Sequence, residues 1–168
     1  MMRKRFSPPA SSSVPAIPRP GEGKRGEAGH VGYLLRQAHA IHRLRMERAL
    51  ADLDVTPPQF AVLTMLNAYP GISNADVARL SLLTPQTVSV IVTNLEKMGA
   101  IARRPHSIHG RIQHLDVTEA GQKLLTLCRT RVQKIEAWLL EGLTAAEENA
   151  VRRWLGEIAL RQELEEQK

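Results

Sequence analysis

Residues 84–118 restrict the fold of this chain more than any other segment, because a capped helix passes directly into a basic two-stranded hairpin. Thr84 offers its hydroxyl to the free N–H groups of a first turn. Pro85 takes the first helical position, where its missing N–H is not needed. Val88, Ile91, Val92 and Leu95 follow at three- and four-residue spacing and define one buried side. Gly99 suits the left-handed position beyond the last turn. Residues 100–104 and 111–117 are each of strand length, and residues 105–110 make the turn between them. In the second strand Gln113, Leu115 and Val117 share one face, and Ile112, His114 and Asp116 share the other.

The flanking sequence is helical by the same criteria. From residue 30 to about 51, Val31, Leu34, Leu35, Ala38, Ile41, Leu44, Ala49 and Leu50 form one apolar stripe. Arg36, Arg43, Arg45, Glu47 and Arg48 occupy the opposite face. Thr56-Pro57-Pro58-Gln59 opens a second helix, with threonine as cap and glutamine completing a capping box. Phe60, Ala61, Val62, Leu63 and Leu66 are its inward residues, and Tyr69-Pro70-Gly71 stops it. Ser73-Asn74-Ala75-Asp76 opens a short third helix with Val77, Ala78, Leu80, Leu82 and Leu83 as its apolar residues. Thr118-Glu119-Ala120-Gly121 starts a fifth helix running to about residue 141. Thr144 and Glu147 box the start of the last, from 145 to about 165.

Residues 1–28 are of a different character. Half of the ten prolines lie there, beside Ser11-Ser12-Ser13 and several glycines. Too few apolar side chains are present to offset the entropy of ordering, so a disordered basic arm is expected. Its arginines and lysines can touch DNA without sequence preference. The expected domain is therefore 29–168.

Composition narrows the function classes. The 168 residues suit one domain with a tail, and 43% apolar residues can bury a core. Aromatics make up only 4%, which leaves little for stacking on single-stranded nucleic acid. A formal charge of +6 favours a polyanionic partner. No apolar run approaches the roughly 20 residues that span a bilayer. The basic start at residues 1–6 is followed by Ser7-Pro8-Pro9 instead of an apolar signal core. A single cysteine, Cys128, builds neither a disulfide framework nor a cysteine-based metal site, and a reducing cytoplasm is the expected compartment. Cys128 lies among Leu124, Leu125, Leu127 and Val132 and reads as a packing residue.

Three short helices followed by a hairpin have the layout of a winged helix-turn-helix, with the fourth helix of the chain as the reader of DNA. Its exposed face offers Gln86, Thr87, Ser89, Val90, Thr93 and Asn94. Amides can pair bidentately with adenine, and hydroxyls serve bases and phosphates alike. Arg103, Arg104 and Arg111 add positive charge in the hairpin. The expected fold class is mainly α with a small β-hairpin wing (α+β).

Residues 56–121 resemble the MarR (multiple antibiotic resistance regulator) family of bacterial transcription factors. The resemblance rests on Thr56-Pro57-Pro58-Gln59-Phe60-Ala61-Val62-Leu63, Pro70-Gly71-Ile72-Ser73, Asp76-Val77-Ala78, residues 84–99, Arg103-Arg104 and Val117-Thr118-Glu119-Ala120-Gly121. With its flanking helices it extends over roughly residues 30–165. It implies a homodimer built from helices in 29–55 and 119–168, with 56–118 as the winged helix-turn-helix. It also implies a pseudo-palindromic double-stranded operator and a repressor released by its ligand. The family's helix contacts carry onto Gln86, Thr87, Ser89, Val90 and Thr93, and its wing contact onto Arg111. One departure stands out. The family wing reads Asp-x-Arg-x-x-(Lys/Arg), whereas this chain has His109-Gly110-Arg111-Ile112-Gln113-His114. Protonated His109 and His114 would then add phosphate contacts at mildly acidic pH.

The resemblance further implies a small-molecule effector between the dimerisation helices and the DNA-binding lobe. Candidate lining residues are Tyr33, Arg36, His39, His42, Arg43, Phe60 and Met65. Aromatic and cationic groups together suit an aromatic acid, a phenol or an acyl thioester. Two alternatives are a zinc-responsive regulator using His39 and His42 with His106, His109 and His114 of the wing, and a winged-helix protein-interaction module that leaves DNA untouched. The first-helix pair lacks the third and fourth donors of a tetrahedral site, so no resident metal or cofactor is expected. The sequence shows no phosphate-binding glycine loop, nucleophile elbow or zinc-hydrolase motif, and no enzyme is expected.

Overall fold

The computed structural model describes residues 17–105 and 113–166. Its helices are α1 (Val31–Leu50), α2 (Pro57–Ala68), α3 (Asn74–Leu80), α4 (Pro85–Lys97), α5 (Glu119–Leu139) and α6 (Ala145–Glu166). Strands β1 (Ile101–Pro105) and β2 (Gln113–Val117) lie between α4 and α5. The chain divides into two compact units, with the division falling after Ile41 inside α1.

In the first unit, local structure reaches further toward the N-terminus than the composition suggests. A 3-10 turn forms at Gly23–Arg25. The Arg19 backbone N–H donates to the Glu22 carboxylate at 2.9 Å, and the Arg25 guanidinium donates to the Pro18 carbonyl at 2.9 Å. These short-range polar bonds, not apolar burial, organise residues 18–26, and apolar content alone does not register them. The rest of the expected arm, residues 1–16, lies outside the described residues.

The second unit is built on its caps. Thr56 accepts from the Gln59 N–H while the Gln59 side chain accepts from the Thr56 N–H at 2.8 Å, and Gln59 is itself buried. Ser73 and Asp76 form the same box on α3, and their hydrogen bonds hold the Asp76 carboxyl below the usual carboxylate range. Thr84 caps α4, Thr118 caps α5, and Thr144 with Glu147 boxes α6. Each signal was legible because a cap is a contact between neighbours in sequence.

Two apolar clusters hold the unit together. The larger joins Val62, Leu63 and Leu66 of α2, Val77 and Ala78 of α3, and the predicted Val88, Ile91, Val92 and Leu95 of α4. Ala100, Ile101, Leu115 and Leu125 close it from the hairpin and α5. The smaller joins Met46 and Leu50 of α1 with Val55, Cys128 and Ile135. Phe60 and Leu124 pack against both, which makes α2 and α5 the connection between them. Burial pushes the Cys128 thiol upward in pKa, as fits a packing residue and not a reactive thiolate. Arg45 stacks 3.5 Å over the Trp138 ring, and Arg131 pairs with Asp52 at 2.5 Å.

Differences from the sequence pattern concentrate between elements. Leu80 and Leu82 are exposed, and Leu82 takes a left-handed φ of 54° with 92% of its surface open. The α3–α4 turn demands that backbone geometry, and it overrides the side chain's preference for the core. The hairpin pairs antiparallel from Ile101↔Val117 to Pro105↔Gln113. Pro105, expected in the turn, is thus the last residue of β1. The stretch 106–112, which includes the expected start of the second strand, lies outside the described residues.

Candidate nucleic-acid interface

Helix α4 presents its polar side to solvent because its apolar side is fully used. Val88, Val92 and Leu95 have no accessible surface, which sets the helix rotation and turns Gln86, Thr87, Ser89, Val90, Thr93 and Asn94 outward. All six predicted reading residues are exposed. The one carboxylate of the helix, Glu96, is engaged by Arg103 at 2.8 Å. The outward face therefore presents amides, hydroxyls and Val90 with no unpaired acid.

The two described hairpin arginines act within the fold. Arg103 reaches back from β1 to Glu96 and ties the strand to the last turn of α4. Arg104 pairs with Asp116 on the neighbouring strand, diagonally across the register. Its hydrogen bond lowers the Asp116 carboxyl pKa and raises that of the guanidinium. Arg104 remains largely exposed, so this pair leaves its solvent side open to a phosphate. Arg111, together with His106 and His109, lies outside the described residues.

His114 has a partner within the fold. It is half-buried, and its Nδ1 donates to the Gly71 carbonyl at 2.6 Å, joining β2 to the turn between α2 and α3. Gly71 has φ +81°, and a Cβ there would stand 3.2 Å from that same nitrogen. Sequence reasoning missed this contact, as it missed Glu96 and Asp116. Asp116 lies diagonally from Arg104 once the hairpin register is known, and Glu96 is only seven residues from Arg103, but the His114–Gly71 pair spans 43 residues with no local signal.

Because Asp116 titrates lower in the fold than in the unfolded chain, its stabilising pair is complete above the ordinary aspartate value near pH 4. That stabilisation is lost as pH falls through the depressed value. Asp116→Asn should therefore flatten part of the acid limb of stability. Urea midpoints at pH 7 and pH 3 check this, with a smaller drop expected in the variant than in the parent.

The candidate effector residues fall in both units. Tyr33, Arg36 and His39 are exposed residues of the first. In the second, His42, Phe60 and Met65 are half-buried, and Arg43 is exposed 3.6 Å from Glu47. Among the described residues no group of three or more histidine, cysteine, aspartate or glutamate side chains could hold a metal ion. No described helix is long and apolar enough to cross a membrane.

A capped helix seated on a helix-turn-helix core, followed by a two-stranded hairpin, defines a winged-helix DNA-binding protein. Comparison with known proteins agrees. The MarR family profile matches residues 55–112. The HTH-type transcriptional repressor Rv2887 of Mycobacterium tuberculosis is 34% identical over 128 residues, covering 76% of this chain and 92% of the relative. A crystal structure of that protein with p-aminosalicylic acid superposes with a TM-score of 0.64 at 32% identity, over 77% of this chain and 98% of the other. The transcriptional repressor CouR bound to a 23-mer DNA duplex superposes at 0.73 with 26% identity, over 79% and 94%. The chain belongs to the MarR family of transcription regulators.

Proposed function

We propose that this chain is a homodimeric, cytoplasmic repressor whose two α4 helices enter the major groove of a pseudo-palindromic operator, and that a small aromatic acid weakens its grip. The observation that carries the reading is the outward face of α4, solvent-facing along its length and without an unpaired carboxylate. Gln86, Thr87, Ser89, Val90, Thr93 and Asn94 meet the bases and adjacent phosphates, while Arg103, Arg104 and Arg111 serve the backbone and the wing. Half-sites then lie roughly 34–36 Å apart, one helical turn of duplex. The role is regulatory and involves no catalytic step.

Helix α6 supports the dimer. None of its described side chains is buried, yet Val151, Trp154, Leu155 and Ile158 recur at three- and four-residue spacing. In α1, Val31, Leu35, Ile41 and Leu44 are likewise exposed. Apolar helix faces of this extent suit burial against a second copy. Residues 29–55 and 119–168 thus form the dimerisation part and 56–118 the DNA-binding part. The relative's p-aminosalicylate complex favours an aromatic carboxylate as effector.

Selection from a random duplex pool, followed by fluorescence anisotropy, tests this reading. A palindromic winner should bind about a thousandfold or more tighter than random duplex. Salicylate should raise the Kd by a factor of about 5 to 150, the usual span of coupling between two sites. Equal affinity for all duplexes would leave a protein-interaction module as the better account.

A further inference from the structure

The hydrogen bonds within α4 sort its exposed side chains. Thr87 Oγ1 lies 2.8 Å from Thr84 Oγ1, Ser89 Oγ donates to the Pro85 carbonyl at 2.9 Å, and Thr93 Oγ1 donates to the Ser89 carbonyl at 3.0 Å. A hydroxyl has one proton, so Ser89 and Thr93 can meet a base only as acceptors while these bonds last. Their power to tell one base from another is correspondingly reduced.

Position on the helix then decides which residues remain. At about 100° per residue, Val88, Ile91, Val92 and Leu95 define the inward direction. Gln86 and Val90 lie within about 30° of the opposite pole and one turn apart. Val90 is 58% exposed. A lone exposed valine is ordinary on most surfaces. At the outer pole of a helix that enters a groove, it is among the first side chains to meet the base edges.

We propose that Val90 selects a thymine by packing against its C5-methyl group, while Gln86 pairs with a neighbouring adenine, so that the centre of each half-site is A·T. The assignment rests on α4 being the recognition helix, as proposed above. In the major groove only thymine offers a methyl, and only adenine offers the adjacent N7 acceptor and N6 donor that an amide matches. A cytosine amino group against Val90 would lose its water without gaining a partner.

The test uses the full chain and the duplexes it selects. Each half-site thymine is replaced singly by deoxyuridine, which removes the methyl and nothing else. At one position per half-site the parent protein should lose about fourfold in affinity, the value of one buried methyl-sized group. Val90→Ala is an exposed substitution to a better helix former and should fold normally. It should bind thymine duplex about as weakly as the parent binds a duplex carrying deoxyuridine at that position in both half-sites, and should no longer distinguish thymine from deoxyuridine there. Indifference of the parent to every replacement, G·C at the centre of the selected half-sites, or discrimination retained in Val90→Ala would each overturn the assignment while leaving α4 as the reader. Failure to select any sequence would overturn both.

Discussion

Gly121→Ala should destabilise the protein by more than about 3 kcal/mol, a large share of a small domain's total stability. The first turn of α5 lies against the residue that leads from α4 into β1. A Cβ on Gly121 would stand 1.9 Å from the Ala100 carbonyl oxygen, 2.8 Å from its carbon and 2.8 Å from Val117 Cγ1. Neither backbone atom is free to yield. The Ala100 carbonyl accepts from the Thr118 N–H at 3.0 Å, and the Thr118 hydroxyl donates to the Gly99 carbonyl at 2.6 Å. The same threonine caps α5 by accepting from the Gly121 N–H. An added methyl thus separates the helix from the hairpin and loosens the cap together. Urea unfolding checks it, and an unchanged midpoint would mean the two segments are not packed as described. Intrinsic helix propensity favours alanine by roughly 1 kcal/mol, so a loss in the variant isolates the close approach.

Gln86→Glu should cut operator affinity at least about a hundredfold while leaving the fold intact. The substitution keeps the shape of the side chain and lies in the first turn of α4, where a carboxylate interacts favourably with the helix dipole. Thermal stability should therefore hold or rise slightly. On DNA the same change removes two amide donors and sets a negative charge against bases and phosphates. Loss of a bidentate base contact costs about 1–3 kcal/mol in each half-site, and a dimer has two. Anisotropy on the selected duplex, beside a melting curve, separates this effect from unfolding. Parental affinity in the variant would remove Gln86 from the interface and place the reading surface elsewhere.

How much of the site was legible follows from the range of each interaction. The buried side of α4 was readable from spacing alone, and with it the exposed set from Gln86 to Asn94, because a helix allows only one rotation that buries Val88, Ile91, Val92 and Leu95 together. The positive charge of the hairpin was readable as well, but not its engagement. Arg103 and Arg104 both hold carboxylates of the fold: the first pairing depends on how β1 leaves α4, the second on the strand register. The bond from His114 to the α2–α3 turn was not readable from spacing.

Within the chain itself, then, the order of the elements, their caps and their buried faces were determined locally, since each rests on neighbours within about two helical turns. Tertiary structure alone decided how the elements meet: the seat of Gly121 on Ala100, the link from His114 to Gly71, and the restraint of the hairpin arginines. The hydroxyl commitments on α4 are local too, since Ser89 and Thr93 each bond a carbonyl four residues back along the helix, and they leave Gln86 and Val90 foremost where the opening segment, residues 84–118, becomes most specific. The tertiary contacts join residues on different elements. Spacing patterns record periodicity within one element, and that periodicity carries no information about which elements meet.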